Sequence, residues 1–284
     1  MRFNMIGAGR LGKNIARAII EEQLGQLTAV CNRSHESGLF AVQQIGSGIA
    51  VSATKELPPA ELTFITTPDD AISTIVNELA QGETLTPGSV IIHCSGALST
   101  KELTPLKEQG CFIGNFHPAK AFRHDSLNPN VFRNCLCIVE GDKQAIDLLI
   151  AIFKPLGTTL IPINAEKKAS YHAAGVFSAN YLVTLSAATV ELLIEAGIPQ
   201  DLAHQLNLQL MQSSLTNIEQ TAVLSQALTG PLARGDMHTI EKHLAALHQP
   251  ALNALYRAAA IATLSLTNLD VDKKSVLQNL LTPG

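Results

Sequence analysis

Charge is scarce in this sequence. Asp, Glu, Lys and Arg make up 15% of its 284 residues, and the net charge is −4. There is no basic tail and no run of like charges, so nothing draws the chain electrostatically to nucleic acid or to an anionic membrane. Cysteine is scarce as well. Cys31, Cys94, Cys111, Cys135 and Cys137 are odd in number and irregularly spaced, which gives no basis for a disulfide framework. Cys135-x-Cys137 is too close for a zinc pair. His238, His243 and His248 fall five apart and point in different directions on a helix, so no metal site is expected. The chain begins Met1-Arg2-Phe3-Asn4-Met5-Ile6-Gly7, an apolar strand from the outset. That start predicts no signal peptide and a cytoplasmic protein.

What the sequence does have is apolar residues, 46% of the total, enough for real cores in two domains. Short apolar runs at 2–6, 27–31, 62–66, 89–93, 111–116, 136–139 and 158–162 alternate with helical spacing at 10–22, 35–45, 69–80, 100–108 and 142–154. Such alternation predicts an α/β Rossmann domain, with a mainly parallel, doubly wound sheet. From about 165 the strand-like runs stop. Helices are predicted near 165–196, 200–218, 236–247, 249–269 and 272–281, with Gly197-Ile198-Pro199 as a stop. The expected division is therefore 1–162 and 163–284. Residues 169–190 carry no Asp, Glu, Lys or Arg, a length that spans a bilayer. Ser170, His172, Ser178, Asn180, Thr184, Ser186 and Thr189 interrupt it, which favours a helix buried in a helical domain or a homodimer.

Gly7-Ala8-Gly9-Arg10-Leu11-Gly12 comes directly after the first strand and opens the first helix. Gly7 permits the tight turn, Gly9 admits a pyrophosphate against bare backbone, and Gly12 allows close helix–strand packing. The helix N-terminus, at Arg10 and Leu11, presents free N–H groups to phosphate. About 20 residues on, NAD-binding versions place an acid on the ribose 2′-OH. Here the second strand ends in Asn32-Arg33-Ser34, which donate to a 2′-phosphate where an acid would repel it, so NADP(H) is the expected cofactor. The other reading has Arg33 and Ser34 begin a solvated helix. Thr67 and Pro68, past the strand 62–66, are expected to border the cofactor, and Asp69 or Asp70 to cap the next helix.

Candidate chemistry lies at the ends of the later strands. Ser95 and Gly96 end the strand 89–93, and His117 ends the next; each is a candidate for holding substrate or an ordinary strand-end residue. Lys168 and His172 are four apart and share a helix face, with Asn180 two turns on. Reducing a ketone or imine needs a hydride and a proton, and a desolvated lysine supplies the proton. His172 and Asn180 would orient the substrate. Spacing alone favours a solvated Lys168. In Leu228-Thr229-Gly230-Pro231-Leu232-Ala233-Arg234-Gly235-Asp236, Thr229 and Arg234 either grip a carboxylate or belong to an interhelix turn in which Arg234 pairs with Asp236.

Four blocks, IGAGRLG at 6–12, HCSGALS with GNFHPAKAF within 93–122, KKASYHAAGVFSANY at 167–181 and ALTGPLARGD at 227–236, resemble the Rossmann-like proteins that carry a DUF2520 domain, in the 6-phosphogluconate-dehydrogenase-like superfamily. The resemblance implies an NADP-binding domain followed by an all-α dimerisation domain of the 6-phosphogluconate-dehydrogenase C-terminal type. The superfamily uses a Lys-x-x-x-Asn pair on the first long helix; Lys168 takes the lysine position, and His172 stands where Asn is usual. The resemblance also implies reduction of a small 2-oxo acid, ketopantoate (2-dehydropantoate) first, as in an alternative class of ketopantoate reductase in pantothenate biosynthesis. The alternatives are an imine reductase resembling pyrroline-5-carboxylate reductase and a non-catalytic NADPH-binding redox sensor.

Overall fold

A computed structural model describes residues 1–122 and 127–283. These residues form two compact units, Met1–Asn180 and Tyr181–Gly284. The first unit is a single eight-stranded sheet: β1 (Arg2–Ile6), β2 (Gln26–Cys31), β3 (Ile49–Val51), β4 (Leu62–Ile65), β5 (Val90–His93), β6 (Phe112–Pro118), β7 (Leu136–Gly141) and β8 (Thr159–Pro162). The strand order is β3-β2-β1-β4-β5-β6-β7-β8. Every pairing is parallel except β6 with β7, so the sheet is the doubly wound one expected, with one antiparallel step.

Helices α1 (Arg10–Glu21), α2 (His35–Ile45), α3 (Asp69–Gln81), α4 (Thr104–Lys107) and α5 (Lys143–Phe153) cover both faces. A strand buried on both sides is mainly apolar, and β1, β4 and β5 are buried along nearly their whole length, with Asn4, Thr63 and His93 as their buried polar residues. One core gathers Phe3, Met5, Ile15, Ile19, Phe116 and Phe153. The other gathers Ile6, Ile65, Ile72, Val76 and Leu106. Phe116 stacks on Phe153 with centroids 3.9 Å apart, and each such buried ring contributes about 2–3 kcal/mol.

Strand β3 has no counterpart among the expected elements. Its three residues are too few to show a period, and Gly46 and Gly48 before it take positive φ. After β8 the chain makes a 3₁₀ turn capped by Asn164, then α6 (Lys168–Gly175) and a π turn (Val176–Asn180). The expected boundary at Pro162 marks the end of the last strand, whereas the compact first unit runs on through Asn180.

The second unit is all helix: α7 (Tyr181–Glu195), α8 (Gln200–Glu219), α9 (Leu224–Ala227), α10 (Pro231–Arg234), α11 (Met237–Ala246), α12 (Pro250–Leu264) and α13 (Val271–Leu281). The short α10 lies within 228–236, where a shaped interhelix turn is expected, and α9 lies in a stretch for which no helix is predicted. Ile240, Ala260, Leu264, Leu277 and Leu281 form its core, and Arg257 donates to the carbonyls of Leu280 and Leu281 at the end of α13. The stretch Ala165–Glu195 is long and apolar enough to cross a membrane by length and composition. Within a single chain it is mostly exposed, with Lys168 and Val190 its buried residues.

Candidate active site

The parallel register brings the ends of β1, β4, β5 and β6 into line: Ile6 sits beside Ile65, Ile65 beside His93, and His93 beside Asn115. The loops leaving these strands therefore gather at one edge, where ligands of open α/β sheets bind.

The first loop is built for a phosphate. Gly7 has φ +82°, and a Cβ there would come within 2.5 Å of Thr67 Cγ2 and 2.8 Å of Thr67 N. A Cβ on Gly12 would fall onto Thr66 Oγ1, so α1 lies hard against β4. A Cβ on Gly9 would meet only Gly7 O, at 3.9 Å, so this face stays open. Gly9 is also the N-cap of α1 and offers no capping side chain, which leaves N–H groups of the first turn, including those of Arg10 and Leu11, for a ligand. A cavity of about 780 Å³ runs from Gly7 and Gly9 past Asn32, Arg33, Thr67 and Pro68. Thr67 Oγ1 is buried at its wall without a hydrogen-bond partner among the described residues. The residues present fit a dinucleotide.

The three residues expected at the 2′-phosphate do different things. Asn32 Oδ1 accepts from Ala8 N at 2.7 Å and Nδ2 donates to Ser37 O at 3.0 Å. Its carboxamide thus pins the glycine loop to the end of β2. Ser34 caps α2 by accepting from Ser37 N. Arg33 is exposed at the cavity wall and forms no ion pair or hydrogen bond among the described residues. Asp69 and Asp70 occupy the first turn of α3, and Asp69 also reaches Ser95.

The second half of the edge surrounds Lys168. Its side chain is 1% exposed, contrary to the solvated position that spacing favours. Nζ donates to Ser95 O at 2.9 Å and to Asn115 Oδ1 at 2.6 Å. Burial lowers its pKa to about 8, against the opposing pull of Glu140, Cys94 and Asp69. Asn115 is fully buried, and its Nδ2 donates to His93 O at 3.0 Å and Ser95 O at 2.9 Å. His93 is fully buried too, and burial followed by the Lys168 charge lowers its pKa to about 3. The Ser95 hydroxyl is engaged within the protein: it donates to Asp69 Oδ2 at 2.9 Å and accepts from Leu98 N at 2.8 Å and Ala97 N at 3.1 Å. It shapes the loop, and the carbonyl of the same residue meets the amine.

Gly96 opens the space beside this amine. A Cβ there would lie 2.6 Å from His172 Nδ1 and 2.9 Å from His117 Nε2. The two imidazoles stand with centroids 6.4 Å apart, and His117 Nδ1 is 2.7 Å from the Tyr171 hydroxyl. Burial, then the charges of Lys168 and His172, lowers His117 to about 4, so its ring is neutral near pH 7. The Tyr171 contact fixes the His117 ring with Nε2 toward Gly96.

Lys168, His172, Gly96, Ser95 and His117 are thus brought together. Asn180 is not bonded to the amine, whose described bonds go to Ser95 and Asn115; it is exposed at the end of the π turn. Thr229 and Arg234 belong to the second unit, both exposed, in a turn set by Gly230 at φ +94° and Gly235 at φ +71°. In that turn Asp236 caps α11 by accepting from Thr239 N. Sequence reasoning passed over Asn115 and Tyr171. Asn115 looks like strand filler, and only its asparagine in an otherwise apolar run marked it. Among the described residues no group of three or more His, Cys, Asp or Glu side chains is arranged for a metal.

Comparison with known proteins agrees with this layout. The chain matches the Rossmann-like domain over residues 1–118 and DUF2520, a domain of unknown function, over 135–263. No curated protein matches it. Among solved structures it is similar to BF3122 from Bacteroides fragilis, provisionally assigned as an NADP oxidoreductase, at 23% identity and TM-score 0.77, covering 93% of this chain and 98% of that one. It is similar to TM1727 from Thermotoga maritima at 22% identity and TM-score 0.70, covering 96% and 98%. A Plasmodium falciparum pyrroline carboxylate reductase with NADP bound aligns at 12% identity and TM-score 0.59, covering 99% and 98%. At these identities the likeness is one of fold.

Proposed function

We propose that this chain, which belongs to the family joining a Rossmann-like domain to a DUF2520 domain, is an NADPH-dependent oxidoreductase that reduces a small 2-oxo acid, with ketopantoate to pantoate as the leading candidate reaction. The observation that carries the reading is the buried Lys168 amine at the ends of β5 and β6, on the same sheet edge as a glycine loop open to phosphate. Gly7, Gly9 and Gly12 with the start of α1 would hold the pyrophosphate, and Arg33 would face the 2′-phosphate. A bound nicotinamide would supply hydride to the carbonyl carbon. Lys168, as the ammonium, gives a proton to the oxygen of that carbonyl, so the ketone gains one hydride and one proton and becomes the alcohol. His117 and His172, lining the space beside Gly96, orient the substrate by hydrogen bonds.

The test is NADPH oxidation by the purified protein against a panel of 2-oxo acids. Turnover with ketopantoate above the others is expected. Tight NADPH binding with no turnover of any member would overturn the reading.

We also assign the exposed apolar faces of α7 and α8, where Val183 is 70% and Leu208 56% exposed, to a second copy of the chain. Light scattering should give twice the mass of 30.2 kDa, and a monomer at micromolar concentration would contradict it.

A further inference from the structure

We infer that Asn115 is a positioning residue for Lys168, aiming its third N–H at the substrate and setting the pH range in which the amine holds its proton. The inference rests on the proposed role of Lys168 and adds to it. An ammonium has three N–H bonds. Among the described residues two are engaged, by Ser95 O at 2.9 Å and Asn115 Oδ1 at 2.6 Å, and one remains. Asn115 is suited to fix this geometry because it cannot turn. Its Nδ2 is held by the carbonyls of His93 and Ser95, and flipping the carboxamide would set an oxygen against both and an N–H₂ against the amine. One side chain therefore fixes both acceptors, its own oxygen directly and the Ser95 carbonyl through a hydrogen bond.

The carboxamide sits in a mixed surround of charged and neutral groups. Glu140 on β7 and Asp69 on α3 favour the charged amine, and the Cys94 thiol lies close after β5. His93 on β5 and His117 on β6 face it as neutral rings, with His172 one turn along its own helix. Glu140 is itself tied to Thr100 N, and Asp69 to Ser95 Oγ, so neither is free to follow the lysine. Asn115 is the side-chain acceptor in direct contact, beside the backbone carbonyl of Ser95.

The experiment compares Asn115→Leu and Asn115→Asp in the full-length protein, reading kcat against pH with NADPH and ketopantoate. The leucine removes an acceptor from the ammonium, so the alkaline limb should move to lower pH and kcat should fall about a hundredfold, the scale for a misaimed group. The aspartate adds a carboxyl at contact distance, so the limb should move up by about one unit or more. Opposite displacements are a signature that loss of packing does not produce. NADPH affinity within about threefold of wild type controls for folding. Should the leucine variant not fold, Asn115→Ser, whose hydroxyl is too short to reach the amine, takes its place with the same expectation. NMR titration of ¹⁵N-lysine-labelled protein, with the Lys168 signal identified by its loss in Lys168→Met, reads the amine without turnover. Unmoved limbs and an unmoved Lys168 titration, in a protein where Lys168→Met abolishes turnover, would overturn the inference and leave the proposed function standing. Full turnover in Lys168→Met would remove the lysine from the proton-donor role on which the inference rests, and the NMR titration then decides the contact's effect on the amine by itself.

Discussion

The Lys168 amine and the Asn115 carboxamide oxygen lie 2.6 Å apart, joining the first residue of a helix to a strand 53 residues earlier in the chain. The contact carries a lysine side chain into a site that is 1% exposed and keeps it hydrogen-bonded there. A buried amine with two fixed acceptors and one remaining N–H is a proton donor with a defined direction.

Replacing Lys168 by Met should keep NADPH binding and lower kcat for a 2-oxo acid by about a hundredfold or more, the usual contribution of a positioned acid. Steady-state kinetics beside a fluorescence titration of NADPH checks this. A loss of only a few fold would take Lys168 out of the proton-donor role.

The pH profile is set by the sign of the lysine shift. Burial lowers the amine to about 8, and reduction needs the protonated form. The reductive kcat should therefore be level below that value and fall tenfold per unit above it. The reverse oxidation, which needs the free amine, should rise across the same interval. His117, near 4, is neutral throughout and should add no limb between pH 6 and 9.

Arg33→Ala should weaken NADPH binding by about tenfold to a hundredfold, the scale of charge-assisted hydrogen bonds to phosphate, and leave NADH nearly unchanged. Asn32→Ala should weaken both cofactors together, because its carboxamide pins the loop that both would share. Paired dissociation constants for the two cofactors separate these roles.

Gly7→Ala combines a positive φ with a Cβ 2.8 Å from Thr67 N, a backbone atom that cannot swing aside. It should cost about 1–3 kcal/mol of stability and most of the cofactor affinity, read as a lowered Tm that NADPH no longer raises. Gly96→Ala meets imidazole tips instead. It should leave Tm within a few degrees while kcat/KM falls through displacement of His117 and His172.

The sequence shows this fold wherever the pattern is long enough to repeat. Strand β1, the glycine turn and α1 stand out because strand, Gly-x-Gly-x-x-Gly and helix occur in one stretch. Strand β3 does not, because Ile49-Ala50-Val51 is shorter than any period. Lys168 was visible as a candidate, but its burial was not. Nothing near it in the chain says that a 3₁₀ turn capped by Asn164 delivers it to the sheet edge. Its partner Asn115 was hidden by distance in sequence. Placing Asn180 two turns beyond His172 assumes a regular helix, and the π turn at Val176–Asn180, where Ser178 Oγ donates back to Ala174 O, breaks that spacing. Asn32 and Ser95 show a further limit: a polar residue at a strand end looks alike in sequence whether it faces a ligand or, as here, ties down its own loop.

The most direct measurement is a crystal structure of the protein with NADP⁺ and ketopantoate bound together. The account predicts the Lys168 Nζ within hydrogen-bond reach, about 3 Å, of the 2-oxo oxygen, with Ser95 O and Asn115 Oδ1 still on its other two bonds. A 2-oxo oxygen held by other donors, with the amine turned away from it, would contradict the account.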